Sequence, residues 1–299
     1  MSPGLEQQGP ETARSEIDLH LHSTASDGIL PPAKVVEAAK AAGLSVIALT
    51  DHDTVSGVND AVEAGAALGV RVIRGVELSA HEDASGREVH MLGLHVTRLE
   101  ALERELTALR EKRMERARLI VERLSQIGVA ISFDSVLAQS DGGAVGRPHI
   151  ARALIKAGAV ADQREAFDRY LGQGRAAFVP KSQFLIGDAI RIVHEAGGLA
   201  VWAHPSHTAT RERVERLVAL GLDGLEVRHP SHSADVAAGL EALCDFFGLV
   251  PSGGSDWHGP VGERTLGGQV IPREWLERQE RLVASRAFAA PAAPAALAT

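Results

Sequence analysis

Short apolar segments alternate with helical segments along most of this 299-residue chain, and the alternation strongly constrains the fold. Seven apolar segments are predicted as strands: residues 17–20, 45–50, 71–78, 88–96, 199–203, 224–228 and 249–253. The predicted helices between them include residues 32–42, 55–68, 186–196, 211–220 and 234–247. Strands that alternate with helices of this length form βα units around a parallel sheet. Seven such strands, several of them continuously apolar, predict an α/β fold closed or nearly closed into a barrel.

Residues that can bind metal follow the predicted strands where each strand ends. His20 and His22 are two residues apart in the first strand, so both imidazoles project from the same face of the sheet. His90 lies inside the fourth strand, and similar residues follow the others: His52, Glu77, His204, His229, Asp256 and His258. Because barrel enzymes carry their chemistry at the carboxyl ends of strands, this pattern predicts a metal site at one end of the barrel.

The alternation stops between residues 97 and 180. Residues 98–127 are predicted as a long charged helix with a narrow apolar stripe, followed by shorter helices at 148–156 and 163–170. We interpret residues 98–180 as a helical cap inserted between two barrel segments, 16–97 and 181–285. The charged face of the long helix, at residues 111–118, is interpreted as solvated because both signs of charge are interleaved.

Composition and charge exclude several classes of protein. The net charge of −8 argues against binding of long nucleic acid, although a small anion could bind beside metal cations. No apolar run approaches the roughly 18 residues of a membrane helix, and residues 1–14 carry no signal peptide, so a cytoplasmic location is expected. Residues 1–15 and 286–299 are predicted as disordered tails. The oligomeric state stays open.

Five motifs carry a resemblance to a known superfamily. They are DLHLHS at residues 18–23 with SDG at 26–28, TDHD at 50–53, GVE at 75–77, AHP at 203–205 and GSDWH at 254–258. They resemble the motifs of the PHP (polymerase and histidinol phosphatase) superfamily, over residues 16 to about 285. Within it the chain is similar to the stand-alone branch with a helical insertion, which includes nucleoside 3′,5′-bisphosphate phosphatases and 5′–3′ exoribonucleases acting on short RNA. The resemblance implies a distorted (β/α)7 barrel.

The resemblance also implies two or three divalent metal ions, with Mn, Zn or Fe suited to mixed imidazole and carboxylate ligands. Four residues would hold the first ion: His20, His22, Glu77 and Asp256. Glu77 would bridge to a second ion held by His90 and His204. The third ion would be held by Asp27, His52 and His258. The family often has histidine in place of Asp27, so a carboxylate there is expected to weaken the third site or to shift it toward Mn²⁺ or Fe²⁺.

Further residues are candidates for substrate binding or catalysis. The candidate substrate ligands are Ser23, Arg147, His149, Lys181, Arg228, His229 and His232, and the candidate catalytic residues are Glu77, His204, His232 and Asp256. Arg147 and His149 open a cap helix and could present cations and backbone N–H groups to a phosphate, or could simply begin the helix. Ser23 could donate to a phosphate oxygen or shape its loop. Asp51 and Asp53 could orient ligand imidazoles or cap the next helix.

The predicted function is removal of phosphate from a small nucleotide by a metal-activated hydroxide, with the 3′-phosphate of a nucleoside 3′,5′-bisphosphate as the preferred target. The alternatives are a 5′–3′ exoribonuclease acting on short oligonucleotides, a histidinol-phosphate phosphatase, and a regulatory module whose metal site has decayed. The acidic net charge favours the mononucleotide. Every implied ligand position carries a competent residue, which argues against decay.

Overall fold

The computed structural model describes residues 15–82, 87–139, 145–180, 184–260 and 264–289. Eight strands lie in these ranges: β1 (Ile17–Leu21), β2 (Val46–Leu49), β3 (Arg71–Arg74), β4 (Val76–His81), β5 (Glu88–Leu94), β6 (Leu199–Trp202), β7 (Gly224–Arg228) and β8 (Val250–Gly253). The main helices are α1 (Pro32–Ala41), α2 (Val58–Leu68), α3 (Leu99–Gln126), α4 (Phe133–Leu137), α5 (Arg147–Lys156), α6 (Gln163–Ala166), α7 (Ile186–Glu195), α8 (Arg211–Ala219), α9 (Ala234–Phe247) and α10 (Arg273–Ala289). The fold is mixed α/β, as the alternation predicts.

The strands form two sheets. One sheet has the parallel order β1-β2-β3, and the other has the order β4-β5-β6-β7-β8. Isolated bridges from Leu21 to Trp257 and from His52 to Glu77 connect the two sheets. Both bridges involve segments that carry predicted ligands, so the junctions between the sheets bring these segments together.

Two features of the strands differ from the prediction. The predicted strand at 71–78 is two strands separated by Gly75, where a Cβ atom would lie 2.8 Å from Thr50 Cγ2 and 2.9 Å from the Leu49 carbonyl oxygen. Strand β5 is antiparallel to both β4 and β6, so the prediction of an all-parallel sheet is wrong at this strand. The physical reason is that residues 82–87 between β4 and β5 are too few for the crossover that parallel strands need.

The helices begin and end at residues suited to those positions. Ser233 accepts a hydrogen bond from Val236 N–H before α9, and Thr210 accepts one from Arg213 N–H before α8. Gly248 ends α9 with a φ of 69°, a left-handed conformation that glycine adopts without a steric penalty. The predicted helix at 163–170 is shorter than expected, because α6 gives way to a π-helical turn at Phe167–Leu171.

Helix α3 belongs to two hydrophobic cores. Leu102 and Leu106 are buried in the main core together with residues of the strands and of α7. Further along the same helix, Ala117, Ile120 and Leu124 are buried in a second core with residues of α4, α5 and α6. The first turns of α3 therefore fix the inserted helices to the strands. Among the described residues, no helix is long and apolar enough to cross a membrane.

The predicted tails are too long at both ends. Ser15 is buried, and its Oγ accepts a hydrogen bond from Ile271 N–H at 3.1 Å. Helix α10, which the sequence reading did not assign, continues past residue 286 to Ala289. Arg286 donates to Asp223 through Nη1 at 3.0 Å. These positions are ordered because Ser15 contacts Ile271 and Arg286 contacts Asp223, just before β7.

Candidate metal centre

Histidine and carboxylate side chains from six chain segments converge at the carboxyl end of the strands. His20 in β1 and His22, directly after β1, are fully buried, and Glu77 at the start of β4 is 1% exposed. The other members lie in the loops or strands around them: Asp27, His52, His90, His204, Asp256 and His258. All nine ligands implied by the resemblance are thus brought into one region. His52, His90, His204 and His258 are each partly exposed, so this side of the cluster faces an opening.

Glu77 lies at the centre of the cluster, and its two oxygens face different histidines. Oε2 is 3.2 Å from His20 Nε2 and 3.3 Å from both His22 Nε2 and His52 Nδ1. Oε1 is 2.9 Å from His90 Nδ1 and 3.0 Å from His204 Nε2. A carboxylate with two sets of imidazoles, one for each oxygen, has the arrangement needed to bridge two ions.

Three overlapping groups of side chains have ligand atoms within 4.8 Å of one another. One consists of His20, His22, Glu77 and Asp256; a second consists of His22, Asp27, His52 and His258; the third consists of His52, Glu77 and His90. These groups follow the sets implied by the resemblance, with two differences. His22 joins the group around Asp27, and His52 takes the place of His204 in the group around His90.

Buried nitrogen atoms provide a test of whether these residues fit metal ions. Among the described residues, His22 Nδ1, His22 Nε2 and His52 Nδ1 are buried and have no hydrogen-bond partner. Carboxylate oxygens do lie nearby, at 3.1 Å from His22 Nε2 in the case of Asp256, but not in a hydrogen-bonding orientation. A buried polar atom without a partner costs folding free energy. These nitrogen atoms point toward a shared centre, and a metal ion bound there would supply the missing partner.

The protonation states of the metal-free cluster are strongly coupled. Burial alone would lower the pKa of His22, but Asp256 and Glu77 raise it to about 9. Burial alone would also lower the pKa of His90, but Glu77 and Glu88 raise it to about 10. Burial would raise the pKa of Asp256, but His22, His229 and His20 hold it well below its usual range. Ions that bind here must displace protons from these imidazoles, because a metal ligates the deprotonated ring nitrogen.

Glu226 is a member of the site that the sequence reading did not select. It is fully buried in β7, with Oε1 2.8 Å from His20 Nδ1 and Oε2 accepting a hydrogen bond from His204 N–H at 2.7 Å. A carboxylate between two apolar residues of a strand, Leu225 and Val227, was the signal that could have identified it, because a buried carboxylate needs partners.

Asp256 also has partners that were not predicted. Its Oδ1 faces His20 and His22, while its Oδ2 is 3.3 Å from His229 Nε2 and forms an ion pair with Arg264. The backbone of Asp256 has a φ of 51°, which is unusual for a residue other than glycine. Arg264 also donates to the Asp256 carbonyl oxygen at 2.6 Å, which helps to hold this strained turn.

Several predicted roles change once the contacts of the residues are known. Ser23 is fully buried and donates its hydroxyl hydrogen to Asp51 Oδ2 at 2.7 Å, so it shapes the loop instead of binding phosphate. Asp51 also accepts from Ser26, while Asp53 accepts from Ser79 N–H and pairs with Arg113. Neither aspartate is hydrogen-bonded to a ligand imidazole, and Gly57 occupies the N-cap of α2, so both predictions for them are wrong.

The candidate substrate histidines are engaged with neighbouring groups. His232 Nδ1 donates to the Val227 carbonyl oxygen at 2.9 Å, and its Nε2 accepts from Ser206 N–H at 3.2 Å. Both ring nitrogens are used by the backbone, so the contacts of His232 give no support to the predicted role in catalysis and substrate binding, which stays a prediction. His149 Nδ1 accepts from Gly146 N–H at 3.0 Å and closes the first turn of α5. His229 is 4% exposed and contacts Asp256, which places it behind the cluster.

Arg228 and Lys181 are the two other candidate cations. The Arg228 guanidinium lies 6.0 Å from the centroid of Trp275, a buried residue of α10. Arg228 is therefore packed against α10, and the predicted substrate role has no support from its contacts. Lys181 lies outside the described residues.

A cavity of about 460 Å³ separates the cluster from helices α3 and α5. Its floor includes Asp27, His52 and His90, and its other wall includes Arg113, Arg116, Arg147 and Phe167. Arg113 forms an ion pair with Asp53. The predicted solvated face of α3 is therefore wrong for Arg113 and Arg116, which face this cavity because the second core turns that part of the helix toward the strands.

Arg116 and Arg147 are a pair of cations with no anionic partner among the described residues. Arg116 Nε donates to the carbonyl oxygens of Val179 at 2.9 Å and Pro180 at 3.2 Å. Arg147 donates to the Leu171 carbonyl oxygen at 3.2 Å and lies between the rings of Phe167 and Phe178. Burial and the neighbouring Arg147 lower the pKa of Arg116 to about 10. Two adjacent guanidinium groups without a carboxylate favour binding of an anion in the cavity.

Comparisons with known proteins connect this geometry to a family. The sequence model of the PHP domain matches residues 18–173. The chain is 40% identical over 259 residues to the 5′–3′ exoribonuclease of Haemophilus influenzae, covering 84% of this chain and 92% of that protein. It is 39% identical over 262 residues to the 3′,5′-nucleoside bisphosphate phosphatase of Chromobacterium violaceum, covering 85% of this chain and 91% of that protein. A solved structure from Bifidobacterium adolescentis, assigned as a metal-dependent phosphoesterase, is 31% identical with a TM-score of 0.69, covering 90% of this chain and 96% of that chain.

Proposed function

The chain belongs to the PHP family of metal-dependent phosphoesterases, and from that premise we propose that it removes the 3′-phosphate of a nucleoside 3′,5′-bisphosphate. The observation that carries this proposal is the pair Arg116 and Arg147, which face the same cavity as Asp27, His52 and His90. A substrate with two phosphates needs two anion sites. The cluster of ligands would receive the phosphate that is cleaved, and the two guanidinium groups would bind the other.

We further propose the arrangement of the metal centre. His20, His22, Glu77 and Asp256 would hold the first ion, Glu77 with His90 and His204 the second, and Asp27, His52 and His258 the third. The strands would form a distorted (β/α)7 barrel, with residues 98–180 as its cap. When bound, divalent ions of the Mn, Zn or Fe type neutralise phosphate charge and lower the pKa of water, which makes hydrolysis possible near neutral pH.

The residues of the chain itself bind and orient the substrate. Arg147 is fixed by two aromatic rings and a carbonyl oxygen, so little conformational entropy is lost when it binds a phosphate. Anchoring of the distant phosphate fixes the distance between the ester and the cluster, which favours an orientation for attack. The cap residues around Phe167 cover this side of the cavity and reduce its contact with water.

A second candidate activity is 5′–3′ hydrolysis of short oligoribonucleotides, which the similarity to the Haemophilus influenzae enzyme favours. The two activities differ in how binding depends on salt. A long RNA releases many counterions, so its affinity falls steeply with ionic strength, whereas a bisphosphate bound by a few groups loses much less. Affinity that increases with RNA length beyond about 10 nucleotides and falls sharply with salt would favour the exoribonuclease.

Phosphate release from the Mn²⁺-loaded protein tests the proposal directly. The substrates would be adenosine 3′,5′-bisphosphate, adenosine monophosphates, histidinol phosphate, a 5′-phosphorylated RNA trimer and an aryl phosphate. We expect the bisphosphate to give the highest kcat/KM. A higher kcat/KM for the trimer or for histidinol phosphate would overturn the proposed substrate.

Substitution of Arg147 tests the second anion site. Arg147→Ala is expected to lower kcat/KM for the bisphosphate by about 10²-fold or more, equivalent to ~3 kcal/mol for a lost charge-assisted contact. Hydrolysis of the aryl phosphate should hardly change, because that substrate has no second phosphate. Arg152→Ala is the matched control, since Arg152 is an exposed residue of the same helix that donates to the Gln139 carbonyl oxygen. Equal losses on both substrates would place Arg147 at the scissile phosphate or in the fold.

A further inference from the structure

Glu226 makes two contacts that involve different parts of the candidate metal centre. Its side chain is completely buried in β7, and both carboxylate oxygens are used. Oε1 is 2.8 Å from Nδ1 of His20, which comes from β1. Oε2 accepts from the backbone N–H of His204, which follows β6. One carboxylate therefore contacts both His20, which would hold the first ion, and the backbone of His204, which would hold the second.

The contact with His20 determines which ring nitrogen can bind a metal. A carboxylate that is ionised accepts hydrogen bonds only, so the His20 Nδ1 must donate its hydrogen to Glu226. In the neutral ring the lone pair is then on Nε2, which faces Glu77 Oε2 at 3.2 Å and Asp256 Oδ1 at 3.4 Å. Glu226 thus fixes both the tautomer and the rotation of the imidazole.

The contact with His204 holds a strained segment of backbone. His204 has a φ of 31°, a positive value that is uncommon outside glycine, and it precedes Pro205. A residue before proline is usually extended, so this conformation needs support from its surroundings. The hydrogen bond from His204 N–H to Glu226 supplies that support. In this conformation the His204 ring extends toward Glu77, where Nε2 is 3.0 Å from Oε1.

We propose that Glu226 is a positioning residue that sets the geometry of the first and second metal ions together, through the His20 ring and the His204 backbone. The inference rests on the proposed metal centre. Glu226 itself does not contact Asp27, His52 or His258 through any hydrogen bond seen among the described residues, so the third ion should be much less affected. Loss of Glu226 should weaken two ions at once.

Glu226→Gln preserves the shape of the side chain but has a single acceptor oxygen. Its amide cannot accept hydrogen bonds from both the His20 ring and the His204 backbone. One of these two hydrogen bonds must therefore be lost or reversed in direction. If the amide nitrogen donates to His20 Nδ1, the hydrogen of the ring moves to Nε2 and blocks the metal. We expect the affinity of the first and second sites for Mn²⁺ or Zn²⁺ to fall by about 10- to 100-fold. Glu226→Ala removes both contacts and should have the larger effect.

Asp223→Asn is the matched control. Asp223 comes directly before the same strand and has the same kinds of partner, because it accepts from the Ala200 backbone N–H at 2.8 Å and is 2.7 Å from His194 Nε2. It belongs to none of the groups of potential metal ligands among the described residues. Substitution there tests whether the loss of a buried carboxylate affects metal binding merely through the stability of the fold.

The experiment measures metal affinity of the full chain by competition with a chelator, and the free energy of unfolding in urea with the metal removed. We expect Glu226→Gln to reduce metal affinity while Asp223→Asn leaves it within about 3-fold of the wild type. Unchanged affinity in Glu226→Gln, or an equal loss in both variants, would overturn the inference. A wild-type protein that binds no divalent ion would instead overturn the proposed function, so the two failures are distinguishable.

Discussion

Two carboxylates along β7 are each paired with an imidazole, Asp223 just before the strand and Glu226 within it, and the surroundings of the two pairs differ. At the amino end, Asp223 contacts His194, and Arg286 donates to both oxygens of the carboxylate. Within the strand, Glu226 contacts His20 at 2.8 Å. Among the described residues, no lysine or arginine is hydrogen-bonded to Glu226. The charge of Asp223 is therefore neutralised by Arg286, whereas Glu226 is paired with ionisable groups of the candidate metal centre.

This difference shows what distinguishes a structural pair from one in a functional site. His194 uses Nε2 for its carboxylate, and its side chain is 31% exposed. His20 is fully buried, and after its contact with Glu226 the second nitrogen still faces Glu77 and Asp256. A carboxylate that orients an imidazole contributes to a metal centre when the other ring nitrogen faces further ligands. Without that convergence, the pair contributes to stability alone.

The largest expected effect is on Glu77, where the ligands converge. Glu77→Gln removes the charge that faces five imidazoles, and it is expected to lower both bound metal and kcat/KM, the latter by about 10³-fold or more, since several kcal/mol of stabilisation would be lost. The helical circular dichroism signal should remain close to that of the wild type. Full activity in this variant would exclude the cluster as the active site and remove the contrast between the two pairs along β7.

A smaller effect is expected for two cations, Arg116 in the cavity beside the candidate metal centre and Arg286 at the structural pair. Arg116→Ala should lower kcat/KM for a nucleoside bisphosphate by about 10- to 100-fold, because a charge-assisted contact is lost, and should leave an aryl phosphate nearly unaffected. Arg286→Ala is the counterpart, since Arg286 already has Asp223 as a partner. It should lower the stability and not the activity. A loss of activity in Arg286→Ala comparable to that in Arg116→Ala would contradict the distinction.

The clustering of the candidate ligands could be predicted from sequence because strand geometry is local, whereas their assignment to individual ions came from the family resemblance and stays a prediction. Side chains alternate between the faces of a strand with a period of two, and the carboxyl ends of neighbouring strands meet at one edge. His20, His22 and Glu77 could therefore be placed together without knowledge of the rest of the chain. Even at β5, where the prediction of a parallel strand is wrong, His90 reaches Glu77, because the side-chain alternation does not depend on strand direction.

The surroundings of the ligands could not be predicted in the same way. The charged face of α3 contains Arg113 and Arg116, and whether it meets water or a cavity depends on where the second hydrophobic core places the helix. His232 has the residue type and location of a catalytic acid, but its ring nitrogens are used by two backbone groups, the Val227 carbonyl oxygen and the N–H of Ser206, 26 residues away. Glu226 has partners in two other segments. These contacts arise from tertiary packing, for which the sequence has no periodic signal.

The smallest expected effect concerns the structural pair. Burial alone would raise the pKa of Asp223, but hydrogen bonds from His194, Arg286 and the Ala200 backbone lower it below its usual value. The carboxylate is thus stabilised in the folded state. Asp223→Asn is expected to reduce the free energy of unfolding at pH 7 by about 1–3 kcal/mol, because a buried set of donors loses its charged acceptor. Urea denaturation in the presence of a chelator measures this quantity without a contribution from metal binding.

The pH dependence of that difference follows from the direction of the pKa shift. Above pH 5 the carboxyl group is ionised in both the folded and the unfolded chain, so its stabilising effect is complete. As the pH falls through about 4, the unfolded chain binds a proton before the folded chain does, and the wild type progressively loses this contribution. The asparagine variant has no such group, and the other carboxylates titrate in both proteins. The gap in unfolding free energy between the two should therefore narrow toward acid pH, whereas a gap that stayed constant or widened would show that Asp223 does not act through its charge.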